Sequence, residues 1–400
     1  MRDVVVVGAG PIGTAAARHL AAAGFSVLVV EEHPTIGEPV QCAGLFTPRV
    51  FDLVPAEASR LQRNRIRRAH VYSPSGARLE LEHAEVHAIA TDRGGFDRLM
   101  AGLAESAGAE LQTGTKCVGL ERDANGAALR LRSAAGERTE RARLVIGADG
   151  AQSRVAKWAG LFEPRQFVSL HGAEMSGLSE LDPEGVEMWL GRDVAPGFFG
   201  YIVPTGADSG KVEVGVWNAP RPARTYFERL ARHPVAARHL GDAKIQYVVS
   251  AVIPVGPARR SVADRVALVG DAAGQAKPTS GGGVYTGLRC VEHLAPVAIR
   301  ALETGDCSAR ALQPYHDAWR GDIGRELWLG TKLRHAFLSL SDRDMDELWR
   351  VLGRDEVLAI LNRHGDIDYP SRVAFALLRR APGLLRYAPK AVHAFFTAPA

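Results

Sequence analysis

The sequence predicts an α/β protein with a parallel sheet that starts at its N-terminus and a second, antiparallel sheet inserted later in the chain. The first observation is a run of β-branched residues, Val4–Val7, followed at once by a glycine-rich turn and an apolar helical segment. Such a run is typical of a strand buried on both faces. The second observation is the alternation of apolar and polar residues between Phe167 and Ile253, which indicates antiparallel strands with one covered face.

The turn after the first strand has the pattern G-x-G-x-x-G, from Gly8 through Gly10 to Gly13, and Pro11 opens the helix that follows. Gly8 permits the turn, Gly10 lets the backbone approach a pyrophosphate, and Gly13 lets the helix pack closely on the strand. The N–H groups at the helix N-terminus favour phosphate. Because a second apolar strand, Ser26 to Val30, completes the unit, we predict a dinucleotide site here.

Acidic residues end the second strand. Glu31 lies about 20 residues beyond the glycines, where a carboxylate accepts hydrogen bonds from ribose hydroxyls, and Glu32 follows it as a further candidate contact. A carboxylate would also repel a 2′-phosphate. This pattern therefore disfavours NADP and leaves FAD or NAD.

Composition narrows the classes of protein that remain. The chain has 400 residues, of which 46% are hydrophobic and 24% charged, and a net charge of +4, which is too weak and dispersed to suggest nucleic acid. Its four cysteines are widely spaced, so we expect neither disulfides nor a metal site. The first strand starts too early for a signal peptide, and no apolar run is long enough to span a membrane. We therefore expect a cytoplasmic protein, and peripheral membrane association stays open.

An irregular segment, Glu32 to Gly44, follows the predicted ribose contact and contains Cys42, Ala43 and Gly44. A free cysteine chosen at random is most often a small buried apolar group. Here the nearby glycines and the Pro-Val-Gln sequence before Cys42 favour an active-site loop that runs toward the reactive end of a cofactor. Arg93, just before a predicted helix, has two interpretations: a surface salt bridge or a cofactor contact.

Three later corners are further candidates for cofactor contacts. Asp149 follows a buried strand, where a phosphate- or ribose-facing corner and a simple turn are equally compatible with the sequence. Gly270 and Asp271 end another strand. Gly281, Gly282 and Gly283 then lead into a helix, and a triple glycine suits a close approach of the backbone to a flat or charged group.

The predicted domains are discontinuous, and helices are expected over Arg49 to Ile66 and from about Ala223 to Arg238. Residues 1–165 and 255–330 form the nucleotide-binding domain, 166–254 form the inserted sheet, to which 66–90 can contribute, and 331–400 form a helical C-terminal region. Aromatic residues of the inserted sheet, among them Trp189, Tyr201 and Trp217, are individually typical of a core but as a set can line an apolar pocket.

The order of these motifs resembles that of glutathione-reductase-like flavoproteins of the p-hydroxybenzoate hydroxylase type. Within that superfamily, Pro39–Gly44, Gly200–Pro204 and the stretch from Gly270 to Gly283 resemble the geranylgeranyl reductase family. The resemblance covers most of residues 1–330 and implies a Rossmann-type FAD-binding domain. It places the adenosine ribose on Glu31 and the ribityl chain near Asp271.

Members of that family use reduced FAD to saturate isolated double bonds of geranylgeranyl chains on diphosphates or ether lipids. The resemblance therefore implies a prenyl lipid or prenyl diphosphate as substrate. Their prenyl-binding motif, Y-x-W-x-F-P, is matched only in part by Tyr201 and Pro204, with Val203 before the proline and no tryptophan. We expect Cys42, or a water beside it, to assist protonation or positioning of the alkene.

The sequence leaves several alternatives open. The same fold serves flavin monooxygenases of aromatic substrates and non-catalytic flavoproteins that carry electrons or lipid. No second nucleotide motif identifies the electron donor, so NAD(P)H, a ferredoxin and a deazaflavin all remain, and a protein donor would be a further partner. The segment from Val373 to Phe396 contains apolar residues together with Arg379, Arg380, Arg386 and Lys390. It is compatible with membrane contact or with a solvated cap.

Overall fold

The computed structural model describes residues 1–163, 166–380 and 389–397. The domain boundary expected at residue 165 and the cation Arg386 lie outside these residues. The strands in chain order are β1 (Arg2–Val7), β2 (Val27–Val30), β3 (Leu45–Phe46), β4 (Gln62–Ile66), β5 (Arg68–Tyr72), β6 (Arg78–Glu82), β7 (Ala88–Thr91), β8 (Glu110–Gln112), β9 (Lys116–Asp123), β10 (Gly126–Ser133), β11 (Gly136–Gly147), β12 (Gln166–Ser176), β13 (Gly185–Trp189), β14 (Gly200–Pro204), β15 (Ser209–Val216), β16 (Lys244–Val255), β17 (Val262–Ala263) and β18 (Val266–Leu268).

The helices, listed in the same way, are α1 (Pro11–Ala22), α2 (Arg49–Asp52), α3 (Arg93–Ser106), α4 (Arg154–Trp158), α5 (Ala223–Ala231), α6 (Ala236–Leu240), α7 (Val284–Thr304), α8 (Ala309–Trp319), α9 (Arg325–Leu338), α10 (Asp342–Leu352), α11 (Asp355–His364), α12 (Pro370–Arg380) and α13 (Pro389–Thr397). Short 3₁₀ helices span Ala56–Leu61 and Gly270–Ala273, and a π-helical segment, Arg320–Gly324, joins α8 to α9.

The first sheet is parallel at its centre, in the order β18, β11, β1, β2, β8. Val4 and Val6 face α1, α3 and α7 on one side, whereas Val5 and Val7 face β9, β10 and α4 on the other. The continuous valine run is therefore explained by burial on both faces. The carboxyl ends of these strands form the edge where the glycine turn and Glu31 lie.

The second sheet has seven strands in the order β16, β12, β15, β14, β13, β5, β6, all antiparallel except the β13 and β5 pair. One face is covered by α5 and α6, and its core includes Val212, Val214 and Leu230. The opposite face packs toward the first domain, since Ile253 approaches Gly281. The expected α/β fold with an inserted sheet and a helical C-terminal region is confirmed.

Two helices expected from the sequence are wrong in extent. The segment Arg49 to Ile66, expected to be one helix, forms α2, a 3₁₀ helix and strand β4. The helix expected over Ala223 to Arg238 is divided into α5 and α6. A proline lies in each break, Pro55 and Pro234, where its ring and missing N–H oppose a continuous helix.

Among the residues that the structure describes, no helix combines the length and hydropathy that a membrane crossing requires.

Candidate active site

The glycine turn between β1 and α1 is shaped for an anion. A Cβ atom at Gly13 would overlap the carbonyl oxygen of Gly8, so glycine is needed for this close packing. A Cβ at Gly10, in contrast, would meet nothing within 4 Å, which leaves open space beside the backbone. Helix α1 has no side-chain cap and no acidic residue in its first turn. Its N–H groups are therefore suited to a pyrophosphate.

Glu31 lies at the end of β2, next to this turn. Its Oε2 accepts a 2.9 Å hydrogen bond from the N–H of Ala9, and its Oε1 accepts one of 3.0 Å from the N–H of His33. These bonds hold the carboxylate at the corner where the sequence predicts a ribose. Glu32 forms an ion pair with Lys116 near the surface. No contact among the described residues links Glu32 to the glycine turn, and its contact with the cofactor stays a prediction.

A second uncapped helix N-terminus faces the inserted sheet. Helix α7 starts after Gly283 and has neither a side-chain cap nor an acidic residue in its first turn. A Cβ at Gly283 would lie 2.7 Å from Oδ1 of Asp271, and one at Gly281 would lie 2.5 Å from Cδ1 of Ile253. A Cβ at Gly282 would crowd Lys277 in the same loop. The three glycines therefore bring Asp271, α7 and the inserted sheet together. Gly270, which precedes Asp271, has a positive φ of 67° and touches Ile12 of α1.

Asp149 is used within its own turn. Its oxygens accept hydrogen bonds from the hydroxyl of Ser153 at 2.6 Å, the N–H of Arg154 at 2.7 Å and the N–H of Val155 at 3.0 Å. Burial raises the pKa of Asp149 although these bonds oppose the rise. Of the two interpretations left open by the sequence, this geometry favours the turn that begins α4.

Cys42 lies between the two domains and is half-buried. Its Sγ accepts a 3.4 Å hydrogen bond from the N–H of Gly44, and its carbonyl oxygen accepts one of 3.3 Å from Nζ of Lys211 on β15. Ala43 between them is buried. A Cβ at Gly44 would lie 2.5 Å from the carbonyl oxygen of Thr91, so the loop packs tightly against β7.

Arg93 lies at the start of α3 and contacts the Cys42 side chain. Its Nε donates a 2.8 Å hydrogen bond to Oδ1 of Asp97, and both side chains are largely buried. Burial would lower the pKa of Arg93, but Asp97 and Cys42 together raise it above its usual value. The salt bridge of Arg93 is therefore internal and not at the surface, and it supports the cysteine loop. A contact of Arg93 with the cofactor stays a prediction.

The four candidate substrate residues do not lie together. Tyr201 is close to Cys42, and Trp217 packs with Phe198 and Ile253, near the triple glycine. Pro204 ends β14 and is buried. Trp189 points to the other face of the sheet, where it stacks on Tyr72 with a ring separation of 5.3 Å within the core under α5 and α6. The expectation for Trp189 is corrected, because strand alternation turns its side chain away from the site.

Sequence reasoning missed Lys211 and Glu213, which are both buried on the site-facing side of β15. They alternate with Val212 and Val214, so the pattern predicts a polar face. Only the packing of the two domains makes that face an interior one. A polar pocket of about 280 Å³ on the far side of the sheet, which Glu187 and His239 help to line, is unsuited to an apolar chain.

The fold, the glycine turn with Glu31, and the helix N-termini of α1 and α7 are typical of a flavoprotein whose nucleotide-binding part carries an inserted sheet. The family described as FAD binding domain matches residues 1–325. The open space at Gly10, the carboxylate at Glu31 and the donors at α1 and α7 fit FAD, so the cofactor expected from the sequence is confirmed.

Comparison with known proteins defines the family more closely. The chain is 34% identical to digeranylgeranylglycerophospholipid reductase 2 of Methanothermobacter thermautotrophicus, over 92% of this chain and 97% of the relative. It is 32% identical to the digeranylgeranylglycerophospholipid reductase of Methanocaldococcus jannaschii, over 88% and 90%. A geranylgeranyl bacteriochlorophyll reductase-like protein of Thermoplasma acidophilum, 24% identical, shares the fold with a TM-score of 0.85 over 98% and 99% of the chains. The chain belongs to the geranylgeranyl reductase family and is an FAD-dependent oxidoreductase.

Proposed function

We propose that this protein saturates carbon–carbon double bonds of geranylgeranyl chains carried by a glycerophospholipid. The observation that carries the proposal is that both the Cys42 loop and the triple glycine before α7 contact the inner side of the inserted sheet. The two digeranylgeranylglycerophospholipid reductases with 34% and 32% identity support this substrate class.

An isolated alkene has no carbonyl group that an enzyme can polarise. Its reduction requires a hydride, which bound FAD supplies when it is reduced, and a proton delivered to the neighbouring carbon. The protein must therefore hold the alkene in a site from which water is excluded. Phe198, Ile253 and Trp217 provide apolar surface beside the triple glycine. Cys42 contacts Arg93 on one side and Lys211 of the inserted sheet on the other. We assign Cys42, or a water beside it, to positioning or protonation of the alkene.

The experiment is an anaerobic incubation of the FAD-loaded protein with dithionite and digeranylgeranylglycerophospholipid, followed by mass spectrometry of the lipid. We expect the mass of the lipid to increase in steps of two hydrogens. The same lipid with fully saturated chains is the control and should keep its mass. An unchanged unsaturated lipid, recovered from protein that holds FAD and accepts electrons, would refute the proposed activity.

We also propose that the C-terminal helices contact the membrane in which such a lipid resides. Helices α12 and α13 both pack on α9, and three large apolar side chains remain exposed on these helices, Trp328, Phe375 and Phe396. Arg379 and Arg380 end α12 and are exposed. Exposed apolar groups together with cations are typical of an interfacial segment.

Co-sedimentation with phosphatidylglycerol vesicles tests the membrane contact. We expect the double variant Phe375→Ser and Phe396→Ser to lose most of the vesicle-bound fraction. Phe162→Ser is the matched control, since Phe162 is also exposed but lies in the loop after α4. Equal binding of the wild type and both variants would exclude these helices as the contact.

A further inference from the structure

A phenol, a carboxyl group and an amine lie on the inner face of the inserted sheet. Tyr201 on β14 and Glu213 on β15 are directly opposite each other in the strand register, and Lys211 lies two residues before Glu213. Side chains at opposed positions point to the same face of a sheet. On the other side of β15, Gly172 of β12 faces Glu213, and a Cβ there would overlap Cγ of Glu213. A glycine therefore makes room for this carboxyl group.

Glu213 is held by one hydrogen bond in an interior position. The hydroxyl of Tyr201 donates to its Oε2 at 2.5 Å, whereas Oε1 is buried and has no partner among the described residues. The residue is 1% exposed. Burial raises the pKa of Glu213, although the Tyr201 bond and the charge of Lys211 oppose the rise. A carboxylate in such a place is costly, and the protonated acid avoids this cost.

The pair reaches the proposed reaction site through Tyr201. The side chains around the Tyr201 ring are apolar and include Ile66, Ala90 and Met188. Tyr201 is close enough to Cys42 for their charges to interact, and Lys211 holds the carbonyl oxygen of Cys42 at 3.3 Å. Tyr201 is half-buried against this apolar cluster, and its hydroxyl connects Glu213 to the surroundings of the cysteine loop.

We propose that Tyr201 and Glu213 form the proton source of the reduction, with Tyr201 as the catalytic residue and Glu213 as a positioning residue that acts through it. The inference rests on the proposed function. The alkene loses its π bond and gains two C–H bonds: one from the hydride of the reduced flavin, which carries the electron pair, and one from the Tyr201 proton. In the acid form of Glu213 the direction of the 2.5 Å hydrogen bond reverses, so that the acid proton passes to the Tyr201 oxygen as the Tyr201 proton goes to the alkene. Water that enters after the product has left reprotonates Glu213. Cys42 in this scheme positions the alkene.

The expected pH dependence follows from the state of Glu213. The acid form is required, so the rate is full at low pH and falls as the pH rises through the pKa of Glu213. The charged or titratable groups that face the pair are Lys211 on β15, Cys42 in the loop, Arg93 of α3 beside Cys42, and Glu174 of β12, opposite Lys211. Lys211 keeps the pKa of Glu213 lower than burial alone would.

The first test does not depend on lipid or turnover. The infrared spectrum of the purified protein at neutral pH should contain a carboxylic acid C=O band that Glu213→Gln removes and that Tyr201→Phe shifts, since the acid then loses its hydrogen-bond partner. A spectrum in which neither variant changes this region would overturn the proposal, whatever the substrate. Tyr201→Phe keeps the ring and gives a second variant if Glu213→Gln does not fold.

The second test measures reoxidation of the reduced protein by the prenyl lipid across a pH series. We expect Tyr201→Phe and Glu213→Gln to slow it by about a hundredfold, with lipid binding retained, and Glu213→Gln to lose the fall at high pH. Glu187→Gln is the control, because Glu187 is also buried but lies on the opposite face. Full rates and an unchanged pH profile in both site variants would overturn the proton source, whereas a wild type that never reacts would overturn the proposed function itself.

Discussion

Cys42 is the residue on which three elements converge. Its carbonyl group contacts Lys211 of β15, its side chain contacts Arg93 of α3, and its sulfur accepts the N–H of Gly44 within the loop. The other three cysteines are buried in the core and make no such set of contacts among the described residues. This difference, rather than the presence of a thiol, distinguishes Cys42.

Replacement of Cys42 by alanine should separate catalysis from cofactor binding. The predicted pyrophosphate and ribose contacts are made elsewhere, so FAD content should stay at the wild-type level. Turnover with prenyl lipid should fall about a hundredfold, because the alkene loses its positioning group. Cys117→Ala is the control, measured by the same assay. Turnover unchanged in Cys42→Ala would remove this residue from the mechanism.

Helix α7 and the loop before it connect the cofactor domain to the inserted sheet. Gly281 has a positive φ of 77° and contacts Ile253, so it is restricted both by its backbone and by its neighbour. Gly76, in the turn between β5 and β6, has a similar φ of 87°, but a Cβ there would meet nothing within 4 Å. The two positions therefore differ mainly in what surrounds them.

Alanine at each of these positions should give different results. Both variants should lose about 1–2 kcal/mol of unfolding free energy from the left-handed backbone. Only Gly281→Ala should also displace the loop before α7 and be purified with less FAD, as measured by the ratio of flavin to protein absorbance. Equal FAD content in the two variants would mean that the triple glycine does not support the cofactor.

The C-terminal region is tied to the cofactor domain by buried charges. Asp368, whose side chain is 0% exposed, accepts a 2.6 Å hydrogen bond from Lys277 and a 2.9 Å bond from Arg49. Tyr369 bonds Tyr285 of α7 at 2.8 Å. Because Lys277 precedes the triple glycine, this segment supports the loop that carries it.

Loss of the Asp368 charge should destabilise the whole molecule. Asp368→Asn leaves Lys277 buried without its ionic partner, which typically costs about 3–5 kcal/mol. Urea unfolding should show this loss. Glu356→Gln, an exposed change in α11, should stay within about 0.5 kcal/mol of the wild type. A similar midpoint for Asp368→Asn and the wild type would contradict the role of this ion pair.

The nucleotide-binding half could be predicted from the sequence because its signals are local. The valine run, the glycine turn and Glu31 are contiguous, and each residue type has its own physical reason. The segment around Pro55 has a helical pattern, but the proline ring and its missing N–H divide it into shorter elements. These errors concern extent and leave the fold class unchanged.

The inner face of the inserted sheet could not be predicted in the same way. Alternation in β15 separates Lys211 and Glu213 from the valines, but it does not reveal whether the polar face meets water or another domain. Trp189 ends β13 and Trp217 follows β15, and the sequence does not show which face of the sheet each side chain meets. Asp149 and Asp271 both follow strands, and only the structure places one in its own turn and the other beside α7.

The most direct test of the account is an anaerobic titration. The protein is reduced to completion, digeranylgeranylglycerophospholipid is added without oxygen, and the absorbance of the flavin is followed while the lipid is sampled. We predict that the flavin is reoxidised and that one double bond is lost per flavin reoxidised. Flavin that stays reduced with the lipid and is reoxidised only when air is admitted would contradict the account.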